Sequence, residues 1–278
     1  MALIRSLLFV PGNRPQRFAK AYNAGSDLIC IDLEDAVPLA DKNQAREQVQ
    51  AYIENQRDIC VRINPLDSEE GLRDLEALAK APPTVIMLAK CQSAQQVEQA
   101  NRALAATDCQ IIPLIESIAG LENAKDIASC DNLKAMMFGG ADMASELRCA
   151  FSYEPLLMVR SQLVLAAAKY NIDLIDVPFI DVKDEQGLLE ETRKVRALGF
   201  TGKAAIHPKQ LAGIHQGFLP SVKQLEFANE VIAAFEKSQS SVLVIDGKMI
   251  DKPIIEACQR HLALAQAAAK DGIGQLKE

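Results

Sequence analysis

The sequence predicts an α/β fold, a (β/α)8 TIM barrel with a C-terminal helical extension, and three observations carry that reading. Short apolar runs recur eight times, at 6–10, 28–31, 59–63, 85–88, 110–115, 135–138, 173–175 and 203–206, and eight strands are what closes such a barrel. An amphipathic stretch follows nearly every run, the alternation that joins parallel strands through helical crossovers. The length, 278 residues, suits one barrel of roughly 250 residues with a short extension left over. A doubly wound open sheet would use the same alternation, but the count of eight is the barrel's number and nothing resembling GxGxxG follows the first run.

In chain order, the first run leads into a helix over 14–24 and the second into a helix over 42–54. The third and fourth are followed by helices over 69–80 and 93–106, and the fifth by one over 120–129. Between the sixth and seventh runs lies 154–170, and between the seventh and eighth 185–198, where Gly199 has the place of a helix C-cap. The barrel is therefore expected over 1–220. The remaining 221–278 reads as a helix at 221–236, a polar break at 237–241, a hairpin at 242–250 around Asp246-Gly247 and a last helix at 253–270. A barrel has no need of this tail. It could close the amino end of its own barrel, but a helix behind a flexible joint can also dock on a neighbouring subunit, which is the expectation adopted.

Composition narrows the function. A formal net charge of −7 with 24% charged residues disfavours nucleic-acid binding and any basic membrane-surface role, so an anionic ligand would need a local basic patch. The seven cysteines are odd in number and widely spaced without a CxxC, which suggests neither a disulfide framework nor a zinc site. No apolar run approaches the ~20 residues of a membrane span, and the opening residues run straight into strand-like sequence. A soluble cytoplasmic protein with reduced thiols is expected.

In a barrel the reacting groups stand at the carboxyl ends of strands. Here those ends offer Asn13 and Arg14, then Asp32, Glu34 and Asp35, then Arg62 and Asn64, Lys90, Glu116, Asp142, Asp176 and His207. Glu116 and Asp142 close consecutive runs, and adjacent parallel strands lie ~4.8 Å apart, so the two carboxylates can hold one hard cation. Two oxygens for a cation that wants six suit Mg²⁺, which keeps waters and takes ligands from its substrate; zinc would want a His or Cys cluster. The alternative is that Asp142 and Ser117 cap the helices that follow. Arg62 carries a planar fork of donors suited to a carboxylate or an enolate oxygen. It could equally form a salt bridge to Asp32 or Glu34, and the two roles are compatible. His207 is read as an orienting partner, and His215 and His261 as ordinary surface or helix residues.

The stretches Arg5-Ser6-Leu7-Leu8-Phe9-Val10-Pro11-Gly12-Asn13, Ile31-Asp32-Leu33-Glu34-Asp35-Ala36-Val37, Val61-Arg62-Ile63-Asn64, Ile115-Glu116-Ser117, Phe138-Gly139-Gly140-Ala141-Asp142, Gly199-Phe200-Thr201-Gly202-Lys203 with Ile206-His207-Pro208, and Gly247-Lys248-Met249-Ile250-Asp251-Lys252-Pro253 together resemble the citrate lyase β-subunit-like family of pyruvate-aldolase barrels, in the family's order over nearly the whole chain. Within that family the chain looks most like the stand-alone citramalyl-CoA lyases. The resemblance implies a homotrimer and Mg²⁺, with Mn²⁺ as a substitute, at Glu116 and Asp142. It also implies Arg62 on the substrate's carboxylate or carbonyl end, and a C-terminal segment that brings Asp251 into the next subunit's site. Taken alone, Asp251 before Lys252-Pro253 would pass as a helix N-cap.

The implied reaction is cleavage of a β-hydroxyacyl thioester, (3S)-citramalyl-CoA to acetyl-CoA and pyruvate, with Arg62, Glu116 and Asp251 as the catalytic residues. Arg62 and Glu116 also join Phe9, Arg17, Lys20, Asp32, Asp35, Asp176 and Val177 as substrate-binding positions. Basic residues after the first strand bind the family's cofactor phosphates, and Arg14, Arg17 and Lys20 have helical spacing here, though a solvated helix face would look the same. Phe9 stands where some relatives carry Tyr, and Gln16 where a Lys is found. Alternatives within the family are the citrate lyase β-subunit, with its substrate on an acyl-carrier protein, and malyl-CoA lyase, thioesterase or malate synthase activity. An alternative of another class is a non-catalytic barrel subunit.

Overall fold

The computed structural model describes residues 4–238, 242–245 and 247–270. Eight parallel strands form a closed barrel in chain order: β1 (Ser6–Pro11), β2 (Leu28–Asp32), β3 (Cys60–Ile63), β4 (Val85–Leu88), β5 (Gln110–Ile115), β6 (Met136–Phe138), β7 (Leu174–Asp176) and β8 (Gly202–Ala205). Closure comes from β8 pairing back onto β1, with Ser6 opposite Lys203 and Leu8 opposite Ala205. All eight expected strands are present, with ends shifted by a residue or two.

The crossover helices are α1 (Phe18–Tyr22), α2 (Lys42–Ile53), α3 (Glu69–Lys80), α4 (Ala94–Ala103), α5 (Ile118–Glu122), α6 (Ala124–Ala128), α7 (Gly140–Leu147), α8 (Leu157–Lys169), α9 (Glu185–Leu198) and α10 (Gln210–Phe218). Their ends follow local chemistry. Ser68 caps α3 by accepting from the Gly71 N–H at 3.0 Å, Asp184 caps α9 through the Gly187 N–H at 2.8 Å, and Gly199 ends α9 with φ of +123°. Two expected helices differ. The one placed over 14–24 begins as a 3-10 turn, Pro15–Arg17, and that over 120–129 is two short helices meeting at Asn123. The helix α10 is additional, and α7, expected only as a helix following Asp142, starts before that residue, at Gly140.

Alternation along the strands sets what lies inside. Leu7, Cys30, Cys60, Met87, Leu114, Met137, Ile175 and Ala204 belong to one buried cluster that fills the barrel. Their neighbours, among them Leu8, Ile31, Val61, Ile86 and Phe138, are buried on the other face of the strands, under the helices. This phase fixes which residues can reach the barrel mouth.

The chain divides into two compact units, Met1–Ile214 and His215–Glu278, the division falling inside α10. The second unit contains α11 (Val222–Lys237), an antiparallel pair β9 (Leu243–Ile245) and β10 (Lys248–Ile250), and α12 (Lys252–Lys270). Ser221 opens α11 with a capping box, and Ala228, Val231, Ile250 and Cys258 form a small core of their own. Most of the expected break, 239–241, and Asp246 of the expected hairpin turn lie outside the described residues. No described helix is long and apolar enough to cross a membrane.

Candidate active site

Two residues beyond each interior position of the core comes the next inward-facing position, at the carboxyl end of the barrel. Counting on from the cluster above gives Phe9, Asp32, Arg62, Ala89, Glu116, Gly139, Val177 and Ile206. All of these except Ala89 line one cavity of ≈440 Å³, together with Pro11, Asp35, Leu114, Met137, Asp142 and others. The mouth of the barrel is thus a pocket built by strand phase.

Glu116 follows β5 and is only 4% exposed. Its Oε1 accepts the main-chain N–H of Lys90 at 2.7 Å. Opposite it, a Cβ on Gly139 would lie 2.4 Å from the Glu116 Cβ and 2.6 Å from Oε2, so only glycine leaves that carboxylate its space. Burial pushes the Glu116 carboxyl up to about 8, against the pull of the Lys90 amide and Arg62 and with the push of Glu34 and Asp142. Asp142 sits in the first turn of α7, half-buried, and Gly139 rather than Asp142 is the N-cap residue there, without a side-chain cap bond. Ser117, by contrast, does cap α5 through the Gly120 N–H at 3.1 Å. The capping alternative therefore holds for Ser117 and not for Asp142.

Arg62 stands opposite Asp32 in the strand register. Its Nε and Nη2 donate to the two Asp32 oxygens at 2.7 and 2.6 Å, and Nη1 lies 3.1 Å from Glu34 Oε2. The Phe9 ring is under the guanidinium, 5.1 Å to its centroid. Burial works against the charge on Arg62, but Asp32 and Glu34 outweigh it and hold the group above its ordinary value. The Asp32 oxygens also accept from the Glu34 and Ala36 amides, at 2.9 and 3.1 Å, so Asp32 orients Arg62. The salt-bridge and ligand-binding readings of Arg62 coexist, because a guanidinium has five N–H donors and these contacts do not use them all.

A second cavity of ≈550 Å³ adjoins the first, sharing Phe9, Val10, Pro11 and Ile206, and adds Arg17, Lys20 and His207. Two of the three expected basic residues come together there; Arg14, at the edge of the 3-10 turn, is exposed. His207 accepts the Lys209 N–H on Nδ1 at 3.1 Å. Asp35 is exposed at the rim of the first cavity, and Val177 lines its wall.

Asp176 is the correction. It is 0% exposed and does not line the cavity, because it directly follows the interior residue Ile175 and so points outward. There its oxygens meet Arg160 Nε at 2.8 Å and Lys203 Nζ at 2.6 Å, while Lys203 also donates to Glu191 and to the Val177 carbonyl, both at 2.8 Å. Burial alone would raise the Asp176 carboxyl, yet Lys203 and Arg160 outweigh it and hold it below the usual range. It is a structural ion cluster, and the parity of the strand was the available signal. Asn64 is likewise structural, donating to Leu33 O and Asp74. His215 is buried in α10. Asp251, in the second unit, is exposed and immediately precedes α12, its carbonyl accepting from Ile254 and Ile255, both at 3.1 Å.

The donor chemistry fits a hard cation. Among the described residues no group of three or more His, Cys, Asp or Glu is placed to hold a metal, so a cation at Glu116 and Asp142 would have two carboxylates and draw its other ligands from water and substrate, as Mg²⁺ does.

Fold and site together define a TIM barrel whose mouth sets Arg62 beside the Glu116 and Asp142 carboxylates. The profile of the HpcH/HpaI aldolase/citrate lyase family matches residues 5–208, and the chain belongs to that family. It is 35% identical over 274 residues, 95% of each chain, to a (3S)-malyl-CoA thioesterase of Cereibacter sphaeroides. It is 32% identical to the mitochondrial citramalyl-CoA lyase of Homo sapiens over 94% of this chain and 85% of that one. Among solved structures it is similar to the protein CitE from Mycobacterium tuberculosis in complex with magnesium, acetoacetate and coenzyme A. That likeness has a TM-score of 0.85 and 33% identity, over 95% of this chain and 99% of the other.

Proposed function

We propose that this chain cleaves a β-hydroxyacyl-CoA thioester, with (3S)-citramalyl-CoA the preferred substrate, to acetyl-CoA and pyruvate. The observation that carries the reading is the make-up of the ≈440 Å³ cavity: among the described residues Arg62 is the only cation that lines it, facing the Glu116 and Asp142 carboxylates beside an apolar wall of Leu114, Met137, Val177 and Ile206. One cation suits a keto acid with one carboxylate, such as pyruvate. A citryl group would bring a second carboxylate with no second cationic side chain among the described residues lining this cavity, and the apolar wall suits a methyl group.

In this reading Glu116 and Asp142 hold Mg²⁺, or Mn²⁺ in its place. Once bound, the cation would supply Lewis-acid stabilisation of the oxygen that becomes the keto group. Arg62 keeps the N–H donors that Asp32 and Glu34 do not take for the carboxylate of the departing pyruvate. The hydroxyl proton passes to water as the C–C bond breaks, and Asp251, acting as an acid, gives a proton to the methylene carbon of the acetyl-CoA enolate. Its arrival from a neighbouring subunit of a homotrimer, on an extension over 221–278, rests on the family resemblance. Arg17 and Lys20 in the adjoining cavity are suited to the CoA phosphates, and Phe9 to the passage the two cavities share. Seven free cysteines fit a cytoplasmic setting.

A second reading, hydrolysis of malyl-CoA, draws support from the thioesterase at 35% identity, since one methyl group in a pocket is worth only ~1–3 kcal/mol. The experiment is a comparison of kcat/KM for citramalyl-CoA, malyl-CoA and citryl thioesters on CoA and on acyl-carrier protein, with products identified by mass. Preference for citramalyl-CoA with release of pyruvate is expected. Preference for malyl-CoA with free malate and CoA as products would favour the second reading, and preference for a citryl thioester would overturn the argument from charge.

A further inference from the structure

Lys90 is a lysine in a conformation lysine rarely takes. It stands two residues beyond the end of β4 with φ of +49°, in the left-handed region that glycine and asparagine tolerate and β-branched residues avoid. Its two polar ends reach different parts of the site. The main-chain N–H donates to Glu116 Oε1 at 2.7 Å, and the ammonium donates to Glu34 Oε1 at 2.9 Å. The other Glu34 oxygen is the one 3.1 Å from Arg62 Nη1. The next residue ties the same loop to the same strand, Cys91 N–H donating to Leu114 O at 3.1 Å. Yet Lys90 does not line the cavity that holds Glu116 and Arg62.

We propose that Lys90 is a positioning residue that couples the two halves of the site, its left-handed backbone holding Glu116 by the amide and its ammonium holding Glu34 beside Arg62. The inference rests on reading Glu116 as a cation-holding carboxylate. With Oε1 engaged by the amide, Oε2, beside the bare Gly139, is the oxygen left for a ligand. The two halves separate by substitution because one depends on backbone conformation and the other on side-chain charge. Partners of this kind, one step removed from a metal, typically affect affinity by roughly 10–100-fold. The ammonium counts for less, since the Lys90 side chain is 42% exposed and such pairs are weak.

The test is Mg²⁺ titration by calorimetry of wild type and of Lys90→Asn, Lys90→Thr and Lys90→Arg, with folding checked by circular dichroism. Asparagine keeps the left-handed backbone, so its Mg²⁺ affinity should stay within about twofold of wild type. Its KM should rise about two- to fivefold, the worth of an exposed charge pair, and Arg should restore it. Threonine, with no ammonium either, should weaken Mg²⁺ binding by roughly 10–100-fold. Equal Mg²⁺ affinity in the Asn and Thr variants would overturn the coupling. Should Thr prevent folding, the Lys90 amide proton of wild type is followed by NMR: it should move on Mg²⁺ addition and not in Glu116→Gln, and an unmoved resonance would overturn the inference. A wild type that binds no Mg²⁺ at all would instead overturn the metal reading beneath it.

Discussion

Arg62 and Asp32 are register partners on adjacent strands, joined by two parallel hydrogen bonds of 2.7 and 2.6 Å. Because Asp32 is itself held by the Glu34 and Ala36 amides, the loop after β2 fixes the plane of the guanidinium. In the proposed reaction a substrate carboxylate would therefore meet a donor whose geometry is set beforehand.

This relationship predicts different failures for the two partners. Arg62→Lys should lower kcat by roughly 100-fold or more, as loss of a preorganised donor does, because a point ammonium cannot keep both Asp32 and a substrate carboxylate. Asp32→Asn keeps the guanidinium but frees its plane, so KM should rise while unfolding free energy falls by about 3 kcal/mol, the low end for breaking a buried pair. Steady-state kinetics and denaturant unfolding check both. Full activity in Arg62→Lys would remove Arg62 from the site.

Glu116 gives a pH dependence whose sign can be worked out. Its carboxyl is raised to about 8, so below that pH the metal-free protein holds a proton that a cation must displace. Mg²⁺ affinity should climb by up to about tenfold per pH unit from 6 to 8 and then level off, with a proton released on binding. The same shift means that the metal-free protein loses stability as pH rises from the ordinary carboxylate range toward 8, since only the folded state retains the proton there. Calorimetric titration in buffers of different ionisation enthalpy measures the proton. Affinity independent of pH would contradict the burial argument.

The Asp176 cluster should behave as structure. Asp176→Ala leaves Arg160 and Lys203 buried with less compensation, so unfolding free energy should fall by about 3–5 kcal/mol and Tm on the order of 10 °C. The KM of the remaining folded enzyme should change little. A raised KM at unchanged Tm would return Asp176 to the substrate.

Strand phase decided what was legible. The eight strands, the cavity places of Arg62, Glu116 and Asp142, and the Gly199 cap follow from apolar runs, polar strand ends and glycine chemistry, whereas Phe9 and Val177 enter only through the family resemblance. Asp176 was misplaced because a polar residue at a strand end was taken without counting parity from Ile175. A helix is expected to follow Asp142, but α7 opens earlier, on Gly139 and Gly140, poor helix formers of which Gly139 is required by the closeness of the Glu116 carboxylate. Lys90 was read as a strand-end charge, and its larger contribution through a main-chain amide leaves no trace in residue type.

Asp251 is expected to act through a neighbouring subunit. Asp251→Asn should lower kcat far more than it changes KM, as for a proton donor. Mixed with inactive Glu116→Gln subunits, it should regain activity in hybrid oligomers. Hybrids verified by mass that are no more active than the separate variants would refute the shared site. A fully active Asp251→Asn would remove the residue from the chemistry.

The central claim is carbon–carbon cleavage at the Glu116 and Asp142 pair. Its most direct test is a single-turnover reaction of (3S)-citramalyl-CoA with excess wild type, followed by mass analysis, with Mg²⁺ and with a chelator, alongside folded Glu116→Gln and Asp142→Asn. Stoichiometric pyruvate and acetyl-CoA from wild type with Mg²⁺ is predicted, reduced by roughly 100-fold or more in the other reactions. Free citramalate and CoA as products, or undiminished pyruvate release by either variant or under chelation, would contradict it.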